Sequence, residues 1–262
     1  MKKDELRKLA RNPRFIPGIY NYCDRWCERC AFTLRCLNYV VEQEENKVND
    51  GAPKNAESFW KRFDTSLVLT KEMLTDMAKE QGIAFDPREM ERIGRHEKER
   101  HQTSENHPLT KLAFAYGEMV DEWFESGKEA LRAKEGEIME QAKLGVEKVK
   151  EEVASLTDVV EILRWYQHQI YVKLLRGLDA DKEVEASSEL PRDSDGSAKV
   201  ALIAMDRSIA AWLRLKEFFP DKTDSILTML VHLDRLRRAA EKEFPDARKF
   251  VRPGFDTGES PT

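Results

Sequence analysis

Apolar positions along the chain recur every three or four residues, the spacing of one face of an α-helix. One stripe, formed by Phe59, Phe63, Leu67, Leu74 and Met77, predicts a helix over about residues 56–81. Further helices are predicted over about 87–102, from Pro108 onward, and over 157–175, 198–218 and 223–243. No strand-like alternation persists, and no unit of about 20 to 50 residues repeats. The pattern therefore predicts an all-α, multi-helix bundle.

Residues that start or end helices divide this pattern. Thr157 is predicted to cap a helix that Gly177 ends. The polar stretch of about 178–198 predicts a mobile loop, and the proline- and glycine-containing stretch 247–262 predicts an extended C-terminal tail. We therefore expect a cysteine-rich module with its leading helix in 1–50, a helical bundle in 51–246, and the tail.

Composition and charge narrow the class of protein. The chain has 262 residues, of which 40% are apolar and 35% charged, a balance that fits a helix-rich globular protein. The longest apolar run, 200–205, is far shorter than the roughly 20 residues of a membrane span, and the first residues contain no apolar run. We expect a cytoplasmic protein. The net charge of −5 combines a basic segment 1–36 with an acidic remainder, which argues against broad nucleic-acid binding.

All four cysteines fall between residues 23 and 36, in the run C-x3-C-x2-C-x5-C. Since disulfides are rare in a reducing cytosol, a tight group of four thiols favours a metal or cluster site. Cys27 and Cys30 are spaced to point at one centre, and Cys23 would share a face with Cys27 if that piece were helical. We predict that Cys23, Cys27, Cys30 and Cys36 are metal ligands.

The spacing favours a [4Fe–4S] cluster, because structural zinc sites usually combine two cysteine pairs separated by a longer insert. Zinc is the alternative, and free or redox-active thiols are a third interpretation. Flanking side chains would offset the thiolate charge and provide a dry surround, which tunes a cluster's potential. The basic ones are Arg25, Arg29 and Arg35, and the aromatic ones are Tyr20, Tyr22, Trp26 and Phe32.

The stretch CERCAFTLRC resembles the C-x2-C-x5-C half of the cysteine staple that holds a [4Fe–4S] cluster in RecB-family nucleases. In that family the first cysteine lies far upstream, whereas here Cys23 is adjacent. The nuclease core, strands with Asp and Glu-x-Lys, is not visible, so the resemblance implies the cluster and not the activity. IYNYCDRWCERC with the later RPGFD also resembles a set of uncharacterised bacterial proteins, and this likeness implies no activity.

Polar side chains interrupt the apolar faces of two predicted helices. Glu161 and His168 share a face that is otherwise apolar, and Asp206 has apolar neighbours at helical spacing. A buried carboxylate must be paired, protonated or metal-bound. One interpretation is a metalloenzyme site with Glu161, His168 and Asp206 as candidate catalytic residues. The other is a structural network, which is favoured because no Glu-x-x-His pair is present. Other carboxylates that could join such a site are Asp64, Glu118 and Glu122.

Three functions are favoured by this sequence, and nucleic-acid binding is a weak fourth, suggested by the basic segment 1–36 and by RLRR at 235–238. The first is a redox protein that holds a [4Fe–4S] cluster and passes electrons to a protein partner. The second is a zinc-stapled helical module that binds another protein without catalysis, and the third is a helical-bundle metalloenzyme. Gly-rich phosphate loops, G-x-S-x-G and H-E-x-x-H are absent from the sequence, so it predicts no enzyme class and no substrate.

Overall fold

The structure is a computed structural model that describes residues 3–48, 56–82, 86–143, 147–180, 185, 187 and 192–258. These ranges are mostly helical and contain no β-strand, so the all-α prediction is confirmed for them. The helices are α1 (Lys3–Ala10), α2 (Leu37–Val48), α3 (Ala56–Glu80), α4 (Pro87–Asn106), α5 (Pro108–Ser126), α6 (Lys128–Lys143), α7 (Glu147–Leu178), α8 (Asp193–Phe218) and α9 (Thr223–Glu243). None of these described helices combines the length and the apolar character that crossing a bilayer requires.

The chain forms two compact units. One consists of Met1–Glu99 together with Arg252–Thr262, and the other of Arg100–Val251. The hydrophobic pattern instead placed divisions near residues 50 and 246. A pattern read along the chain does not show that the C-terminal end packs with the N-terminal segment, because that association is made by contacts between residues distant in sequence.

Helix α8 is the centre of the unit Arg100–Val251. It packs against α7 and α9, and α5 packs against the same two helices. Its buried residues lie on nearly all sides, which is typical of a helix enclosed by others. Trp212 of α8 is fully buried and its indole N–H donates a hydrogen bond to the hydroxyl of Tyr116 on α5 (3.0 Å). The ring of Trp123 packs edge-on against Trp212, with centroids 5.1 Å apart.

Two predicted helix starts are wrong in the same direction. Helix α7 begins at Glu147, so Thr157 lies inside the helix and caps nothing. Helix α8 begins at Asp193, so 193–198 are helical rather than part of a mobile loop. The small side chains of Ser197 and Ala198 are fully buried there, because small residues allow close packing between helices. The rest of the predicted loop lies largely outside the described residues, at 181–184, 186 and 188–191.

The C-terminal stretch is not a simple extended tail. Residues Ala247–Lys249 form a 3-10 turn, and Ala247 and Phe250 are buried in the second unit. Gly254, in the first unit, is also buried. Apolar side chains among the prolines and glycines hold this stretch in place, and only 259–262 fall outside the described residues.

The helices of the first unit are less enclosed. Arg7 of α1 reaches Asp76 (3.8 Å) and Glu80 (3.6 Å) at the C-terminal end of α3. Ala78 is buried at this end, whereas Leu67 and Leu74 are exposed. The bounds of α3 agree with the predicted 56–81, but the described part of its apolar stripe does not form a core.

Candidate metal centre

The four cysteines stand at the ends of successive 3-10 turns. Cys23 follows the turn Ile19–Asn21, and Cys27 begins the turn Cys27–Arg29, which Cys30 ends. Cys36 ends the turn Thr33–Arg35. Its carbonyl accepts the N–H of Val40 (3.1 Å), so Cys36 also begins α2. Each thiol is therefore placed by local turn geometry.

The backbone between Cys23 and Cys27 is not helical, so these cysteines are not related by a helical turn. The Asp24 carboxylate accepts the N–H of Trp26 (3.2 Å), an interaction that competes with helix formation. Arg25 has φ 59°, in the left-handed region. Trp26, at φ −83° and ψ 72°, forms an inverse γ-turn in which Cys27 N–H bonds the Arg25 carbonyl (3.0 Å).

All four cysteines line one cavity of about 20 Å³, which is partly open to solvent. Aromatic and aliphatic side chains complete its walls, among them Ile19, Tyr20, Trp26, Tyr39 and Phe255. The cysteines are free thiols, each partly buried. Among the described residues, no three His, Cys, Asp or Glu side chains form a group placed to hold a metal ion. Metal binding by these cysteines therefore stays a prediction, whereas the structure places all four cysteines around one cavity.

The thiols also influence one another electrostatically. Burial raises the pKa of Cys27 to about 11, and the charges of Cys23, Cys30 and Cys36 act in the same direction. Burial also raises the pKa of Cys30, against the opposing effect of the Phe32 N–H, which donates to its Sγ (3.4 Å). Four thiolates brought together here would need a cation to compensate their charge.

The three arginines of the segment have different positions. Arg25 lines the cavity, and the Arg29 guanidinium lies 4.0 Å from the ring centroid of Trp26, which also lines it. Arg35 instead donates through Nε to the Arg14 carbonyl (3.4 Å), while Arg14 donates to the Leu34 carbonyl (2.9 Å). Arg25 is therefore part of the cavity wall, Arg29 stacks on a wall residue, and Arg35 holds the backbone of the segment.

Sequence reasoning missed the C-terminal contribution to this site. Phe255 lines the cavity, and its ring packs edge-on against Phe32, with centroids 5.3 Å apart. The signal was present in RPGFD, since Pro-Gly marks a turn that would present the following aromatic side chain. What the sequence could not show is that this turn meets the cysteine segment.

The expected burial of Glu161 and His168 is wrong, because both side chains are exposed. Helix α7 has a second apolar stripe, and this one faces the core: Val159, Leu163, Tyr166, Ile170 and Leu174. The His168 side chain is 66% exposed, and its Nε2 lies 3.7 Å from an Asp121 oxygen of α5. These positions do not form a buried acid–base pair.

Asp206 is at the edge of the core and not inside it. Its carboxylate accepts hydrogen bonds from Arg248 (2.5 and 3.3 Å) and lies 3.6 Å from an Arg237 nitrogen. The prediction that this carboxylate is buried is therefore wrong, and its ion-pair partners are Arg248 and Arg237. The other candidate carboxylates, Asp64, Glu118 and Glu122, are exposed.

Comparison with known proteins found no matching family model, no matching curated protein and no matching solved structure. The resemblances of the cysteine run therefore stay predictions.

Proposed function

We propose that the protein binds one [4Fe–4S] cluster through Cys23, Cys27, Cys30 and Cys36 and transfers electrons to a protein partner. The observation that supports this proposal is that all four cysteines line one small cavity. A four-iron cluster takes each thiolate at a different iron, so its ligands surround a volume. When bound, the cluster would supply reversible electron uptake, at a potential set by its surroundings.

The surroundings fit a charged, buried group. The Phe32 N–H is within hydrogen-bonding distance of Cys30 Sγ, and such bonds to the sulfurs tune a cluster's potential. The apolar walls limit the access of water, and Arg25 brings a positive charge to the wall of the cavity. Burial, and then the charges of the neighbouring cysteines, raise the pKa of Cys27, and bound iron would offset both effects.

Zinc is the alternative that the same donor set supports. Zn–S bonds of about 2.3 Å would bring tetrahedral thiolates to about 3.8 Å from one another, a tighter arrangement than a cluster requires. The protein would then be a zinc-stapled helical module that binds another protein. Either metal requires reduced thiols, which supports a cytoplasmic location.

A metalloenzyme based on Glu161, His168 and Asp206 is not proposed. Two of these side chains are exposed, and the third is paired with Arg248. Such an arrangement provides neither the desolvation nor the convergent ligands of a metal site in a helical bundle.

The test is purification under anaerobic conditions, followed by iron, zinc and sulfide analysis and a visible spectrum. The proposal predicts a brown protein with about four iron and four sulfide per chain. Colourless protein with one zinc per chain would overturn the cluster and leave the zinc module. Cys30→Ser should lower the metal content, whereas Thr33→Val, which changes another residue lining the cavity, should not.

A further inference from the structure

The C-terminal segment Arg252–Asp256 contributes a side chain to the cysteine cavity. Phe255 lines this cavity with the four thiols and packs edge-on against Phe32. Phe32 in turn donates its backbone N–H to Cys30 Sγ (3.4 Å). The C-terminal ring therefore covers part of the cavity and contacts a residue that positions one of the thiols.

A tight turn seats this segment on the first unit. Gly254 has φ 77°, a conformation that favours glycine. A Cβ atom at this position would lie 2.8 Å from Ile19 Cδ1 and 3.0 Å from Ile16 Cδ1, too close for a normal contact. Ile16 and Ile19 are themselves buried, and Ile19 also lines the cavity. The segment thus packs directly against the apolar base of the cysteine site.

The turn is held by its own ion pair. The Arg252 guanidinium donates to both carboxylate oxygens of Asp256, at 3.1 and 3.0 Å. Their side chains are only 17% and 24% exposed, so solvent screens this pair less than a typical surface pair. The guanidinium also lies 4.9 Å from the ring centroid of Phe255. Backbone and side chain together hold the ring in one position.

We propose that the segment Arg252–Asp256 is a wall of the cysteine site that controls the access of water and oxidants to the four thiols. The expected effect on metal chemistry rests on the proposed cluster. The shielding of the thiols by this wall does not depend on a bound metal. Apolar groups around a metal site control solvent access, and an oxidant that reaches a thiolate converts it to sulfenic or higher acids. Phe255 is in this sense a positioning and shielding residue, not a ligand.

The test compares wild type with Phe255→Ala, and with Phe255→Leu should the alanine variant fail to fold. In the metal-free, reduced protein, alkylation of the four cysteines by iodoacetamide is followed by peptide mass spectrometry. In the metal-loaded protein, the decay of visible absorbance in air is followed. Removing the ring should speed both reactions, and in the metal-loaded protein by roughly tenfold, the lower end of what lost outer-shell support costs a metal site. Phe255→Leu, which keeps part of the apolar wall, should give a smaller increase.

Phe114→Ala is the matched control, because this phenylalanine is 54% exposed and lies in the other unit. It should leave both rates unchanged. Unchanged alkylation and decay rates in a folded Phe255 variant would overturn the proposal that this segment shields the thiols. Absence of iron and sulfide from wild type would instead overturn the proposed cluster, and the alkylation rates would still test the wall.

Discussion

The indole N–H of Trp212 donates a hydrogen bond to the hydroxyl of Tyr116 across 3.0 Å, and both side chains are completely buried. The bond joins α8 to α5 in the core, where neither group can exchange its partner for water. Burial raises the pKa of Tyr116 to about 12, so the hydroxyl stays neutral at physiological pH. This relationship makes the stability of the bundle depend on a polar pair.

Tyr116→Phe should therefore lower the free energy of unfolding by about 1–3 kcal/mol, because it leaves a buried indole N–H without its acceptor. The double variant Tyr116→Phe, Trp212→Phe should cost less than the sum of the two single changes. Urea denaturation measures both effects. Tyr171→Phe, which alters a partly exposed ring of α7, should be nearly neutral, and an equal loss there would show that the Trp212 bond is not the cause.

Two helical glycines provide a matched comparison of packing. A Cβ at Gly117 of α5 would lie 3.2 Å from His168 Nδ1, whereas a Cβ at Gly136 of α6 would meet no atom within 4 Å. Gly136→Ala should raise the free energy of unfolding by about 0.5–1 kcal/mol, the usual advantage of alanine in a helix. Gly117→Ala should be less favourable by about 1 kcal/mol, since the His168 ring must move.

Adding His168→Ala to Gly117→Ala should recover this difference, because it removes the ring that the new methyl group meets. Chemical denaturation of wild type and the three variants provides the comparison. If Gly117→Ala stabilises the protein as much as Gly136→Ala, the close approach of α5 and α7 at this point does not limit packing.

A pH-dependent contribution is expected from His101. Its Nδ1 lies 2.6 Å from an Asp179 oxygen, and this hydrogen bond is the main cause that raises the pKa of His101. A raised pKa in the folded state means that protonation stabilises the fold. The contribution is complete below the unfolded pKa of about 6.5 and is lost as the pH rises through the higher folded value.

The melting temperature of wild type, measured between about pH 6 and pH 8, should therefore fall with rising pH by more than that of Asp179→Asn. His96→Gln changes an exposed histidine of the same helix and should keep the wild-type slope. Parallel slopes for wild type and Asp179→Asn would contradict the role assigned to the His101–Asp179 pair.

The thiols of the metal-free protein should differ in reactivity. Because the pKa of Cys27 is raised to about 11, only about one molecule in a thousand carries the Cys27 thiolate at pH 8. Cys27 should thus be alkylated roughly tenfold more slowly than a free cysteine, after allowing for the greater nucleophilicity of a more basic thiolate. Peptide mapping after timed alkylation measures this, and unfolding in urea should abolish the difference. Equal rates at all four cysteines in the folded protein would contradict it.

The spacing of apolar residues is sufficient to predict a helix and its bounds where that helix has one apolar face and clear ends. The predicted helix 223–243 coincides with α9, which follows Pro220 and has Ile226, Met229 and Leu233 buried on one side. It was insufficient for α7, whose sequence has two apolar stripes, and the choice between them depends on neighbouring helices. This is why Glu161 and His168 were placed in the core although the structure exposes them.

The candidate site shows a different limit of sequence reasoning. The grouping of the four cysteines was visible, since they are close in sequence. Their backbone geometry was not, because an aspartate turn, a left-handed Arg25 and an inverse γ-turn at Trp26 have no periodic signature. The contact between Phe255 and Phe32 joins the two ends of the chain, and no local pattern predicts such a contact.

Arg25 has a left-handed backbone conformation, which should affect the stability of the turn that follows it. A residue with a Cβ atom costs about 1–2 kcal/mol in this conformation, and the cost is greater for a β-branched side chain. Arg25→Gly removes the strain and should slow the exchange of the Cys27 amide hydrogen, which bonds the Arg25 carbonyl. Arg25→Val should accelerate this exchange, and Arg25→Asn should resemble wild type, because asparagine tolerates left-handed geometry.

Hydrogen exchange in the metal-free protein separates this backbone effect from any effect of the arginine charge, since glycine and valine remove the charge equally. If both variants shift exchange in the same direction, the charge of Arg25 rather than its backbone conformation determines the order of this turn.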